Sequence, residues 1–287
     1  MKKYTLLIVL GIAYTSSVYA QKPDKVLARV RYTYTNVLDT MNTGKTRREN
    51  MLLFLGKNTS LYTSYDKLNH EIQSDMRFRA SIANKVGNGR PQAIVMDTKS
   101  SEWMTTSSNL YFINEDKFFV KEVIALQSYL YEENTPKIAW KIMKDTLTFS
   151  GLACKKATAM YDGKNWTAWF ATEIPFQSGP WKLIGLPGLV VEAYDENKQI
   201  HFQFAGLENA KDGEHQRIDD VTKWPTAKPG DYNPIDQLVG RDVGPAYFEG
   251  IIQLPPNAVK TDKKNFDKLK AAFKKDPKGF VKSMYNH

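Results

Sequence analysis

From Leu110 to Phe204 the chain is a succession of short runs in which apolar and polar residues alternate, broken by hairpin residues. The runs are Leu110–Ile113, Lys117–Ile124, Gln127–Tyr131, Ile138–Lys144, Ala153–Tyr161, Asn165–Ala171, Leu189–Tyr194 and Gln199–Ala205. A period of two puts successive side chains on opposite faces, so each run reads as a strand with one apolar row. Asn114-Glu115-Asp116, Asp162-Gly163-Lys164 and Asp195-Glu196-Asn197 separate neighbouring runs with the residues that tight turns favour. Strands this close together, with no helices between them, predict an antiparallel meander and exclude a parallel α/β sheet. A sheet with one apolar face must curl or be covered. The expected fold is mainly β (α+β), a curved antiparallel sheet, half-barrel-like, with flanking helices.

The remaining segments extend this pattern. Ala28, Val30, Tyr32 and Tyr34 alternate with Arg29, Arg31, Thr33 and Thr35, and Asn50–Leu55 and Thr59–Tyr65 flank a turn at Gly56-Lys57-Asn58. Tyr65 to Lys85 changes to helical spacing through Leu68, Ile72 and Met76, and Gly87-Asn88-Gly89 ends it. Residues 209–255 carry five prolines with little periodicity and read as an excursion from a single mainly-β domain over 21–255. Thr261 to Lys275 places Phe266, Leu269, Ala272 and Phe273 on one stripe, Pro277 ends it, and Phe280, Val281 and Met284 predict a further turn.

Residues 1–20 read as an export signal. Lys2 and Lys3 precede an apolar run over Leu6–Ala13, and Val18-Tyr19-Ala20 is a small-x-small cleavage site, so the expected mature chain begins at Gln21 and is periplasmic or secreted. The net charge of +9 is unevenly placed: Pro256 to His287 holds nine lysines against three aspartates. A near-neutral body with a basic C-terminal helical segment, 256–287, does not supply the spread basic face that nucleic-acid binding requires. The segment could meet an anionic membrane surface, but its apolar stripe is narrow and lacks Trp, so docking on the sheet is preferred.

Reactive constellations are sparse. The histidines, His70, His201, His215 and His287, show no paired spacing, so neither a metal nor a cofactor is expected. Cys154 is the single cysteine and sits in a strand-like run, which predicts a buried, inert thiol. Glu173 and Glu192 are the acidic residues of most interest, a carboxylate pair of the kind hydrolysis would need, and Glu192, two residues after Val190, is expected on the same strand face. Backbone capping or a wet face is the commoner role for such residues. The aromatic density near Trp166, Trp169, Phe170 and Trp181 is higher than elsewhere. Trp166 and Trp169 must face opposite sides, so at most one joins the main core; the other faces a loop or a ligand of apolar, sugar-like or peptide character.

Between these aromatics and the next strand lies Ser178-Gly179-Pro180-Trp181-Lys182-Leu183-Ile184-Gly185-Leu186-Pro187-Gly188-Leu189-Val190. Leu186-Pro187-Gly188-Leu189 fits a type II turn, with proline fixing φ and Gly188 supplying positive φ. The stretch GPWKLIGLPGLVVEAYDE resembles the signature of the GLPGLI family of exported bacterial proteins, with Val190 in place of the final isoleucine. The similarity is densest over Leu152 to Glu208, where a Gly-x-x-Cys-x-Lys-Ala strand and a Trp-Phe-x-x-Glu-Ile-Pro segment precede the hexapeptide. The resemblance implies an address and a fold but no reaction. The leading expectation is a non-catalytic cell-envelope binding or accessory protein, with an outer-membrane transport protein as a candidate partner; the alternative is an envelope hydrolase built on Glu173 and Glu192. The candidate binding residues are Trp166, Trp169, Glu173, Trp181 and Glu192, and the structural motif is Gly185, Leu186, Pro187, Gly188, Leu189 and Val190.

Overall fold

The computed structural model describes residues 21–37, 46–71, 73, 104–125, 127–210, 246 and 250–285. The export signal, the later part of the helix expected over 65–85 and most of the proline-rich excursion lie outside these residues. The strands are β1 (Asp24–Lys25), β2 (Ala28–Val37), β3 (Thr46–Leu55), β4 (Thr59–Ser64), β5 (Ser108–Phe112), β6 (Lys117–Ile124) and β7 (Gln127–Glu133). They continue with β8 (Lys141–Phe149), β9 (Leu152–Tyr161), β10 (Lys164–Ala171), β11 (Leu189–Asp195), β12 (Ile200–Asn209), β13 (Ile251–Ile252) and β14 (Val259–Lys260). A helix, α1, occupies 65–71; α2 (Lys263–Lys275) and α3 (Pro277–Tyr285) close the chain.

Twelve strands form one sheet in the order β14-β7-β6-β5-β4-β3-β2-β12-β11-β10-β9-β8, open rather than closed into a barrel. Neighbours are antiparallel, as expected, except that β14 joins β7 in parallel, which makes the sheet mixed. The connection of β7 to β8 explains its curvature. These strands stand ten positions apart in the sheet, roughly 48 Å if it were flat, at about 4.8 Å per strand. Residues 134–140 join them, and such a link spans at most about 28 Å when fully extended. The sheet must therefore curl until its edges approach. Aromatic contacts on the concave face agree: Tyr62 of β4 and Trp166 of β10 both pack on Phe202 of β12, with ring centroids 6.3 and 6.2 Å away.

The alternation read from the sequence sets the layers. Val30, Tyr32, Met51, Leu53, Trp166, Ala168 and Phe202 form the concave core, while Leu52, Phe54, Leu61, Leu110 and Phe119 form a second cluster on the other face, with Leu68 of α1 packed among them. Strand β4 and the second half of β3, from Met51 to Leu55, are thus buried on both sides. The expected strand Ile138–Lys144 is displaced: β8 begins at Lys141, because Trp140 turns off the sheet and donates its indole N–H to the Ile184 carbonyl oxygen at 2.8 Å.

The loop from Ser178 to Gly188 lies across the concave face. Leu183, Leu186, Leu189 and Val190 join the main core and Ile184 joins the cluster that receives α2. Tyr32, fully buried, donates its hydroxyl to the Val190 carbonyl oxygen at 2.6 Å, and Val190 N–H reaches the Ser178 carbonyl oxygen at 2.9 Å. The expected type II turn is not what forms. Gly188 N–H bonds the Leu186 carbonyl oxygen at 2.9 Å, a three-residue turn centred on Pro187, whose fixed φ suits it. Glycine is required at 188 on two counts: its φ of +158° is one that other residues rarely adopt, and a Cβ there would stand 2.3 Å from the Ala171 carbonyl oxygen. Gly179 is equally confined, its Cβ position lying 2.2 Å from the Leu183 carbonyl oxygen. Gly185 differs: a Cβ there would meet only Trp140, at an ordinary 3.9 Å, but its φ is +93°, a conformation that glycine reaches without strain.

Helix α2 begins at Asp262, whose carboxylate accepts from Asn265 N–H at 2.8 Å, the preferred way to satisfy an N-terminal donor. Its one fully buried residue, Phe266, stacks on Tyr131 of β7 with centroids 5.0 Å apart, and Lys270 pairs with Glu122 of β6 at 2.7 Å. The stripe thus rests on the sheet, and most of the helix's other lysines are exposed. No helix among the described residues is long and apolar enough to cross a membrane.

Two outcomes follow from this packing. Gly188→Ala should lower unfolding free energy by more than about 1 kcal/mol, the usual cost of forcing a methyl into filled space, as measured by urea denaturation; wild-type stability would refute the close approach. Deleting Thr261 to His287 exposes Tyr131 and Ile184 and should lower the melting temperature. An unchanged melting temperature with lost binding to anionic vesicles at physiological salt would instead assign the segment to membranes.

Candidate functional site

The described residues do not fill the concave face along its whole length. Beyond the loop, on the side of the β9–β10 hairpin, a pocket of about 260 Å³ remains. Its floor is Met51, Tyr62, Trp166 and Phe202, all nearly inaccessible. Tyr34, Trp181 and Ile200 are partly exposed walls, and polar groups of Thr105, Ser107, Asn109, Asp162 and Lys164 complete the lining.

Local sequence places each of these groups. Trp166 is on the inward row of β10 and is anchored by its indole N–H, which donates to the Tyr161 carbonyl oxygen at 3.1 Å. Trp181 packs against it, with ring centroids 5.9 Å apart, and against Tyr161 at the same distance. The Trp181 backbone stands at φ +53°, where bulky residues are rare and glycine would be relaxed. A turn closed by Leu183 N–H on the Pro180 carbonyl oxygen at 3.0 Å holds it there. Asp162 and Lys164 flank Gly163 in the tight β9–β10 turn, and Lys164 lies 3.4 Å from Asp195, itself buried.

A charged network borders the pocket. Glu49 is 3% exposed and accepts from Arg47, from Thr105 N–H at 2.7 Å and from the Thr105 hydroxyl at 2.8 Å. Arg47 also lies over the Tyr34 ring at 5.8 Å. A buried carboxylate must be paired in this way to be tolerated. One group in the floor is not satisfied: the Tyr62 hydroxyl, buried, has no hydrogen-bond partner among the described residues. Burial, followed by the neighbouring tyrosines and Glu49, raises its pKa well above the ordinary value, so it stays protonated and is a donor.

The residues singled out from the sequence are divided by the sheet. Trp166 and Trp181 come together in this pocket. Trp169 is on the opposite face, as its odd spacing from Trp166 predicts, packed on Phe149 at 5.9 Å with Lys156 over its ring at 6.0 Å. Glu192 also lies there, and its expected position beside Val190 is corrected. The register of β10 with β11 pairs Trp169 with Glu192 and Phe170 with Val190, leaving Val191 as an extra residue. That bulge switches the strand's facing. Val190 packs in the concave core, Val191 packs beside Cys154, and Glu192 bonds His201 Nε2 at 2.9 Å. Glu173 is exposed and lines a separate shallow pocket with Thr172, Cys154, Lys155 and Leu147, from which Glu192 is absent. The two carboxylates are not gathered into one cleft.

Cys154 is 1% exposed, and burial, together with the more distant Glu192, pushes its pKa up to about 11 against a bond from the Phe149 backbone that lowers it. A neutral thiol is a poor nucleophile. Tyr34, Tyr62, Asn109, Asp162, Lys164 and Phe202 escape a reading of local motifs. Asp162 and Lys164 look like ordinary turn residues, and the others meet only through strands distant in sequence.

A family described as "Protein of unknown function (Porph_ging)" matches residues 155–192, which includes β10 and the loop across the concave face. No curated protein matches the chain. Among solved structures, PNGF-II in space group P21 is similar at 12% identity with a TM-score of 0.47, covering 85% of this chain and 32% of that one. PNGF-II in space group C2 is similar at 12% identity with a TM-score of 0.46, covering 84% and 32%. The chain thus spans about a third of the length of these structures.

The thiol's burial yields a direct check. At neutral pH, Cys154 in the native protein should resist a soluble maleimide for at least a hundred times longer than in the urea-unfolded chain, followed by mass spectrometry. Labelling at the unfolded rate would contradict its place against Ala171 and Val191.

Proposed function

We propose that this chain is an exported cell-envelope protein of the GLPGLI type that binds a small ligand in the pocket between Trp166 and Trp181. The N-terminal charge, apolar run and small-x-small site support export, and the hexapeptide with its flanking motifs supports the family assignment. One observation carries the binding role: Trp181 is held at φ +53° at the mouth of an unfilled aromatic pocket. At a position whose backbone suits glycine, a tryptophan adds strain of about 1 kcal/mol or more. That strain is offset by what the indole does, which is to pack on Trp166 and Tyr161 and wall the pocket. Aromatic walls with a few converging polar groups are the usual make-up of a small-molecule site.

Native mass spectrometry of the protein purified from its own host tests this. The expected result is a bound non-covalent species that is lost in Trp181→Ala while circular dichroism is unchanged. A ligand-free mass in the wild type, together with no binder in a fluorescence screen that responds to Trp181→Ala, would overturn the proposal.

A further inference from the structure

Resting on that reading of the pocket, we infer that its ligand is a neutral saccharide, bound through one pyranose ring. Size comes first. At about 260 Å³ the pocket falls below the roughly 300–1,000 Å³ of sites that enclose drug-sized molecules, so it accepts one ring-sized unit and leaves any further units outside.

The lining then selects the chemistry. Thr105, Ser107, Asn109, Asp162 and Lys164 contribute polar groups to a small perimeter. An acyl chain seated there would strip water from these groups without replacing it, and each unpaired polar group so buried is costly. The same perimeter encloses the rings of Tyr34, Tyr62, Trp166, Trp181 and Phe202. A compact ion or amino acid would leave those surfaces uncovered. A pyranose meets both conditions: its axial C–H bonds present a weakly positive apolar face to the negative face of an indole, and its hydroxyls radiate toward the rim as donors and acceptors.

Charge argues for neutrality. Lys164 is already drawn to Asp195, and Asp162 lies beside it on the exposed hairpin turn, so the rim offers no net cationic clamp for a carboxylate or phosphate. The floor fits as well: Tyr62 and Phe202 contribute ring surface there, and the Tyr62 hydroxyl is itself buried out of a ligand's reach, so the sugar's polar contacts fall to the rim.

Isothermal titration of the full chain with three probes decides the matter: a panel of neutral hexose and N-acetylhexosamine oligomers, sodium decanoate, and a Trp-containing tripeptide. At least one saccharide should bind with Kd below about 1 mM, and Trp181→Ala should weaken that binding at least tenfold while circular dichroism is unchanged. Failure of the whole saccharide panel, or saccharide binding that Trp181→Ala leaves intact, would overturn the inference. Decanoate or peptide binding that Trp181→Ala abolishes, with no saccharide bound, would overturn it while leaving the pocket's role as a binding site standing. No Trp181-dependent binding of any probe would remove both.

Discussion

Where Gly188 passes Ala171, the two backbones are so close that a single methyl group would fall 2.3 Å from a carbonyl oxygen. This approach seats the loop between β10 and β11 against the concave face of the sheet. Once seated, the loop places Leu183 and Leu186 in the main core and Ile184 in the neighbouring cluster beneath α2. It links the two halves of a curled sheet that would otherwise expose its inner face. A curled sheet cannot be stabilised by backbone hydrogen bonds alone, because each strand has one apolar row that must be covered.

The pocket follows from the same geometry. The seven-residue crossing from β7 to β8 compels the sheet to curl, and the loop and α2 fill much of the hollow so made. The part left open is bounded by the loop's first turn, which carries Trp181, and by the inward rows of β2, β3, β4, β10 and β12. Its lining is therefore assembled from strands that are adjacent in space and widely separated in sequence. The floor is built on Phe202, against which Tyr62 and Trp166 both pack, while the mouth depends on a single turn.

Much of the fold was legible in the residues. Period-two runs located the strands from β2 to β12, and the turn residues at 114–116, 162–164 and 195–197 marked hairpins that formed. Phe266 and Leu269 correctly oriented the C-terminal helix. What escaped were effects without a local signature. The bulge at Val191 moved Glu192 to the other face, since one extra residue inverts the alternation and nothing in Leu-Val-Val-Glu announces it. Trp140 left the sheet because the loop's Ile184 offered it an acceptor. Gly188 has the positive φ its place after Pro187 predicts, though not in a type II turn, and its close contact with Ala171, seventeen positions earlier, has no local signal. For the site, Trp166 and Trp181 were recognisable as unusual aromatics; Tyr62 and Asn109, lying on strands buried on both faces, looked like core.

Trp169 offers an internal control for the account, being close to Trp166 in sequence and on the opposite side of the sheet. Indole N–H resonances, assigned by Trp→Phe variants, can be followed by 1H–15N NMR as the protein is titrated with a neutral N-acetylhexosamine oligomer. If the concave pocket is the ligand site, the Trp166 and Trp181 signals shift in a saturable manner and Trp169 stays in place. Equal movement of Trp169, or saturation with Trp166 and Trp181 unmoved, would contradict it.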